Sequence, residues 1–124
     1  MNPVKIGVMP QKRMRAYTKA IVNGAYHPPK NAPKIWFTSI RSLAQVLSDE
    51  NQALLKIIFE NNPDSMKKLA KLTGRDPGNL SRTLKTMSHY GFVALEKTTG
   101  KQIKPIVKAT DFNVSFGIFA PAAW

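Results

Sequence analysis

The sequence predicts a mainly α-helical protein with a small β component, an α+β fold. Five segments carry apolar residues at helical spacing, and shorter segments near both ends alternate apolar and polar residues. The chain has 124 residues, 43% of them hydrophobic, which is enough for one modest core. A chain of this size buries only about two-thirds of its unfolded surface, so a second subunit would add stability.

The first part of the chain, residues 1–33, predicts a basic arm. Alternation over residues 4–8 predicts a short strand, and a helix is expected from Gln11 to about Asn23, ended by Gly24. Residues 26–33 contain three prolines and predict an extended connector. One narrow apolar stripe on the arm helix is expected to contact a second subunit: Met14, Tyr17 and Ile21.

Residues 34–111 predict the main domain, in which capping residues mark four helix starts. Thr38 or Ser39 can cap a helix over residues 40–47, and Ser48 begins the central core helix. Ser65 begins a third, short helix with Met66, Leu69, Ala70 and Leu72 inward, and Asp76 followed by Pro77 begins the fourth. Trp36 and Phe37 are expected to be core or dimer residues.

The β segments follow the last helix, which Gly91 ends. Residues 92–97 and 102–108 flank a Thr-Thr-Gly sequence and predict a hairpin. Residues 112–118 alternate and predict one further strand, within a C-terminal strand and apolar tail covering residues 112–124. Phe116 in this segment is a candidate partner contact.

The charge distribution indicates a polyanionic partner. Lys and Arg number 19 against 7 Asp and Glu, a formal net charge of +12, and no carboxylate precedes Asp49. Such an excess attracts nucleic acid, because binding releases the counterions condensed on phosphates. A membrane surface is the rival, but the basic N-terminal helix lacks the broad apolar face that would anchor it.

A helix-turn-helix is predicted where the third and fourth helices of the main domain meet. Such a unit needs a small residue in its first helix, glycine in the turn and an aliphatic plug in the second helix. Ala70, Gly74 and Leu80 meet these needs at spacings of four and six residues. Together with the hairpin after Gly91, the pattern predicts a winged helix-turn-helix.

The fourth helix carries the side chains expected at a DNA groove. Asn can pair with adenine and Arg with guanine, which favours Asn79 and Arg82 as base-reading residues near the helix start. Gly78 would let a phosphate approach the backbone. The alternative for this helix is a solvated polar face without a partner. For the lysines of the predicted hairpin, the alternative is that they protect a sheet edge. The candidate DNA-binding residues are Lys67, Lys68, Gly78, Asn79, Ser81, Arg82, Lys85, Thr86, Lys97 and Lys101.

Several classes of protein are disfavoured by the composition. The absence of cysteine excludes disulfides, thiolate nucleophiles and cysteine-based metal sites. Only two histidines occur, far apart, and no glycine-rich phosphate loop or catalytic triad order is present. We therefore expect no enzyme activity, no cofactor and no metal. With no long apolar run, we expect a soluble, cytoplasmic protein.

Residues 34–95 resemble a bacterial and archaeal group of small winged-helix DNA-binding regulators related to the MarR-type fold. The resemblance lies in KIWFTSIRSLAQVLS, LAKLTG and NLSRTLKTMSHYGFV, and the basic N-terminal helix with NGAY also fits. It implies DNA reading by Asn79, Ser81, Arg82 and Lys85. Members look like antitoxins that neutralise a small toxin encoded beside them and repress their own operon. Members of the group often carry acidic residues near the positions of Lys67, Lys68 and Lys71, so this chain is more basic there.

We therefore expect a homodimeric repressor that binds double-stranded operator DNA, and an antitoxin of a toxin–antitoxin pair. One alternative is a protein-interaction antitoxin that mainly masks a toxin through residues 1–33 and 112–124. Another is a protein that binds DNA or RNA without sequence preference, recognisable by a steep salt dependence alone.

Overall fold

A computed structural model describes residues 3–119 of the chain. Within that range the fold is mixed α+β, with five helices and five strands. Among these residues no helix combines the length and the apolar character needed to cross a membrane. The elements are β1 (Val4–Val8), α1 (Gln11–Val22), β2 (Ile35–Phe37), α2 (Ile40–Val46), α3 (Asp49–Asn61), α4 (Met66–Thr73), α5 (Pro77–His89), β3 (Val93–Lys97), β4 (Ile103–Val107) and β5 (Phe112–Phe116).

The described residues form two compact units. Residues 46–110 form one, called here the helical unit, and residues 3–45 with 111–119 form the other, the sheet unit. The boundaries predicted at 33/34 and 111/112 divide the chain differently. Pairing of β1 with both β2 and β5 groups the two ends of the chain, so residues 34–45 belong with the first 33.

The sheet unit is built around a three-stranded parallel sheet in the order β2-β1-β5. Ile6 of β1 is opposite Ile35 of β2 and Val114 of β5. Parallel neighbours need a crossover, and α1 supplies the one between β1 and β2. The sequence predicted β1, α1 and the alternation of β5, but it did not predict β2.

Aromatic side chains join α1 to one face of this sheet. The ring of Tyr17 lies 5.3 Å from that of Trp36 and 5.6 Å from that of Tyr26, centroid to centroid. A Cβ added at Gly7 would lie 2.2 Å from Trp36 Cζ3, so only glycine leaves room for the indole. Burial raises the pKa of the Tyr17 phenol, and the neighbouring Tyr26 raises it further.

The helical unit has an aliphatic core drawn from every helix it contains in full. Helices α3, α4 and α5 each bury leucine or another apolar side chain, as the helical spacing in the sequence predicted. The prediction that Leu72 points inward is wrong, because 45% of this residue is exposed. The buried helix residues are Leu54, Leu55, Ile58, Leu69, Leu80, Leu84 and Met87.

The predicted capping residues begin these helices. Ser48 Oγ accepts from the N–H of Asn51, and Ser65 Oγ accepts from the N–H of Lys68. For α2, the choice left open between two residues falls on Ser39, whose Oγ accepts from the N–H of Ser42. At its other end, α4 stops at Gly74 in the left-handed region, with φ of +70°.

A two-stranded antiparallel hairpin follows α5, as predicted. Val93 pairs with Val107 and Lys97 with Ile103, and Gly100 in the turn has φ of +77°. The hairpin is fixed beside the end of α5 because Phe92 N–H donates to Met87 O and its own carbonyl accepts from Lys108 N–H.

Candidate nucleic-acid interface

Helix α5 carries six of the ten candidate residues. The capped start of the helix and its buried side determine which way these six residues face. The Asp76 carboxylate caps the helix by accepting from the N–H of Asn79 at 3.0 Å, and Pro77 occupies the first turn. Leu80, Leu84 and Met87 are each 0% exposed. With that stripe fixed in the core, the positions on the opposite side of α5 face away from it.

All six predicted positions on α5 are exposed, so they share the outer side of one helix: Gly78, Asn79, Ser81, Arg82, Lys85 and Thr86. Within the range the structure describes, the guanidinium of Arg82 makes no hydrogen bond or ion pair. The Thr86 hydroxyl donates to Arg82 O at 3.1 Å, so its proton is used within the helix. The outer side is thus cationic and retains unused donors.

Gly78 has a structural role that the sequence did not reveal. A Cβ at this position would meet Asp76 Oδ2 at 3.0 Å, so glycine leaves room for the capping carboxylate. That carboxylate is close to the helix start, where it repels a phosphate. The phosphate contact expected at Gly78 stays a prediction, and the Asp76 carboxylate would oppose it.

Cations on two other elements of the helical unit are also exposed. Lys67 and Lys68 lie in the first turn of α4, and Lys71 follows one turn later. On the hairpin, Lys97 ends β3 and Lys101 lies in the turn. Long basic side chains of this kind suit phosphate contacts more than base reading.

Arg75 is a residue of this region that the sequence-based selection missed. It lies between α4 and α5 and is half-buried. Its Nε and Nη2 both donate to Asn79 Oδ1, at 3.2 and 2.6 Å, and Nη2 also reaches Thr83 Oγ1 at 3.4 Å. Its Nη1 donates to Asn51 Oδ1 at 3.2 Å. Arg75 therefore ties the start of α3 to the outer side of α5.

A signal for this network exists in the sequence. Arg75, Asn79 and Thr83 are spaced by four residues, which places them on one side of a helix and its leading turn. The link to Asn51 could not be found this way, because it joins residues 24 positions apart.

The predicted partner contacts are placed in different environments. Tyr17 and Phe37 are buried in this chain, and Met14 and Trp36 are half-buried, so packing within the single chain accounts for much of their apolar character. Ile21 and Phe116 are exposed. Residues 120–124 of the predicted apolar tail, and the first two residues of the arm, lie outside the described residues.

The side chains of this region include no metal-ligand cluster among the described residues and several exposed hydrogen-bond donors. In the described part of the chain, no group of three or more His, Asp or Glu side chains is placed to hold a metal ion. Exposed Asn, Ser, Arg and Lys side chains instead offer hydrogen-bond donors to an anionic partner.

Comparison with known protein families matches residues 46–114 to the HVO_A0114 family, more than half of the chain. No curated protein and no solved structure matches the sequence. The matched region contains α3, α4, α5 and the hairpin, and therefore all ten candidate DNA-binding residues.

Proposed function

The chain belongs to the HVO_A0114 family, and we propose that it is a sequence-specific double-stranded DNA-binding repressor that acts through α5. The observation that carries this proposal is the exposed outer side of α5, opposite the fully buried stripe of Leu80, Leu84 and Met87. Among residues 3–119, the side chains of Arg82 and Lys85 have no hydrogen-bond or ion-pair partner.

The order of elements supports a winged helix-turn-helix as the DNA-binding unit. Helix α4 is followed by a three-residue turn, then α5, then a hairpin. Ala70 is half-buried, Gly74 adopts the left-handed conformation and Leu80 is fully buried, which matches the three needs of a helix-turn-helix. In this interpretation α5 is the recognition helix and the β3–β4 hairpin is the wing.

Charge supports a nucleic acid as the partner. Residues 46–110 contain eleven Lys or Arg and six Asp or Glu, and exposed cations occur on α3, α4, α5 and the hairpin. Lysines on α4 and the wing would hold the phosphates and set the register of the protein on the duplex. Arg82 would then donate both guanidinium branches to guanine O6 and N7 in the major groove.

Repression would follow from occupancy of the operator. Two copies related by two-fold symmetry would place their α5 helices in successive major grooves, about one helical turn apart. Bound protein would then block access of polymerase to the promoter.

The test is operator selection from a randomised duplex library, followed by affinity measurements at several salt concentrations. We expect Arg82→Ala to cost about 1–3 kcal/mol of binding free energy and to relax one base preference. Lys101→Ala, a matched loss of one charge, should weaken all sequences evenly and lower the salt slope by about 1. If both variants bind the selected operator like the parent protein, the site is wrongly assigned. A steep salt slope without any selected sequence would favour nonspecific nucleic-acid binding.

A second candidate function, protein interaction, is favoured by a separate observation on the sheet unit. Four large apolar residues in and after the edge strand β5 are 49–79% exposed: Val114, Phe116, Ile118 and Phe119. We propose that this strip joins two copies of the chain, because an edge strand offers unpaired backbone groups as well as apolar contact. A parent protein that elutes as a monomer, or a dimer unaffected by Phe116→Ser, would exclude this interface.

The antitoxin role is a proposal that rests on the resemblance of residues 34–95. It requires a small protein encoded next to this chain and co-purification of the two at a fixed ratio. Without such a neighbour, the proposal reduces to an ordinary repressor.

A further inference from the structure

We propose that Arg75 orients the Asn79 side-chain amide so that Asn79 reads DNA only as a hydrogen-bond donor, and therefore selects guanine instead of adenine. This inference rests on the DNA-binding function proposed above. It assigns a positioning role to Arg75 and replaces the Asn79–adenine pairing expected from the sequence.

The first step is the direction of the amide. Arg75 Nε and Nη2 lie 3.2 and 2.6 Å from the same side-chain atom of Asn79. A guanidinium has five N–H donors and no acceptor, so the group that faces it must be the amide oxygen. The orientation of the amide thus follows from the chemistry of its partner.

The second step concerns the hydrogen-bonding capacity left on Asn79. An amide oxygen has two lone pairs, and the two donors of Arg75 use both. The amide nitrogen, Nδ2, has no partner among the residues the structure describes. Asn79 is exposed and lies in the first turn of α5, so it offers two N–H donors and no free acceptor to a ligand.

The third step is the stability of this arrangement. Arg75 is half-buried, and its Nη1 donates to Asn51 Oδ1 on α3 at 3.2 Å. Asn51 is itself held, because its Nδ2 donates to Val46 O at 3.0 Å. The guanidinium of Arg75 is therefore fixed from α3, whereas that of Arg82 has no partner within the described part of the chain.

The consequence for base reading follows from the edges in the major groove. An Asn amide that pairs with adenine must accept from N6 and donate to N7. With its oxygen occupied, Asn79 cannot accept from N6. Guanine offers two adjacent acceptors, O6 and N7, and is the base that matches a side chain limited to donation.

The experiment selects binding sites from a randomised duplex library for the full-length protein and four variants. Asn79→Ala identifies the base position that Asn79 reads, as the one whose preference disappears. We expect guanine at that position for the parent protein. Arg75→Ala frees the amide oxygen and should raise the adenine-to-guanine ratio there by about tenfold, with other positions unchanged.

Two further variants separate positioning from folding and charge. Asn79→Asp keeps an acceptor for Arg75 and removes the donors, so guanine preference should be lost even if Arg75→Ala fails to fold. Lys56→Ala removes an exposed cation from α3 that makes no hydrogen bond with Arg75 or Asn79 in the described range, and it should leave the base preference unchanged. Thermal unfolding of each variant reports stability alongside the selected sequences.

The outcomes distinguish this inference from the function on which it rests. If the parent protein enriches no sequence, sequence-specific DNA binding itself fails. If it enriches an operator with adenine at the Asn79 position, the inference is overturned and the function stands. The same holds if Arg75→Ala folds and keeps the parental base preference, or if Asn79→Asp still selects guanine.

Discussion

The two units of this protein differ in how far apart in sequence their contacting residues are. The helical unit uses one continuous stretch, residues 46–110, and its elements follow one another in the chain. The sheet unit joins the two ends, with Val4 opposite Phe112 in adjacent strands. Local patterns therefore describe the first unit well, whereas the second depends on pairings that no short segment specifies.

Their surfaces differ as well. The helical unit combines exposed cations with a side-chain network around Arg75, while six carboxylates moderate its charge. Residues 2–45 and 111–124 contain eight Lys or Arg and one Asp or Glu, together with the exposed apolar strip in and after β5. An ordered network suits the reading of a specific ligand, whereas unmoderated charge suits nonspecific attraction. The surface for the proposed specific partner is therefore best sought on the helical unit.

The largest expected effect on stability comes from truncating one buried side chain in the core of either unit. Leu84 in the helical unit and Ile6 in the sheet unit are each 0% exposed, so either change to alanine should cost about 2–5 kcal/mol of unfolding free energy. Urea unfolding measures the loss. Hydrogen exchange should show faster exchange in α5 for Leu84→Ala and in β1 for Ile6→Ala.

Leu72→Ala is the matched control, since it makes the same chemical change at a half-exposed position of α4. We expect it to cost less than about 1 kcal/mol. Equal losses for Leu72→Ala and Leu84→Ala would contradict the assignment of the core. Equal acceleration of exchange in both units by either core variant would contradict the division into two units.

The contrast between local and distant contacts also explains what the sequence could predict of the fold. Ser48, Ser65 and Asp76 marked helix starts because a cap acts on amides two or three residues away. The three residues of β2 are too few for an alternating pattern, and their identity as a strand comes from pairing with β1. Leu72 fits a helical stripe by spacing, yet the short α4 buries only Leu69 fully.

The candidate site was predictable to a similar extent. Spacing from Leu80 to Met87 showed which side of α5 is buried, and hence which residues are exposed. It did not show that Asn79 is engaged by Arg75, since a side-chain hydrogen bond depends on rotamers and on Asn51 from another helix. Nor did it show that the Asp76 carboxylate occupies the space beside Gly78.

A smaller effect is expected from Gly7→Ala, which tests the aromatic layer of the sheet unit. The added Cβ would lie 2.2 Å from Trp36 Cζ3, so the indole or the strand must move. Overpacking of this kind costs about 1–3 kcal/mol of unfolding free energy. In a double-mutant cycle, the cost of Gly7→Ala should fall when Trp36 is replaced by alanine, because the clash is absent. An unchanged cost in that background would show that Trp36 is not the obstacle.

The smallest expected effect is a dependence on alkaline pH that belongs to the sheet unit. Burial raises the pKa of the Tyr17 phenol above its ordinary value of 10.0, so the folded protein keeps the proton more tightly than the unfolded chain. The resulting stability is fully present below pH 10 and is lost as the pH rises through the folded pKa. Urea unfolding at pH 9 and pH 11 should therefore show a smaller loss for Tyr17→Phe than for the parent protein, because phenylalanine has no proton to release. Equal losses in the two proteins would show that other groups cause the alkaline destabilisation, and would remove Tyr17 as a titrating element of this unit.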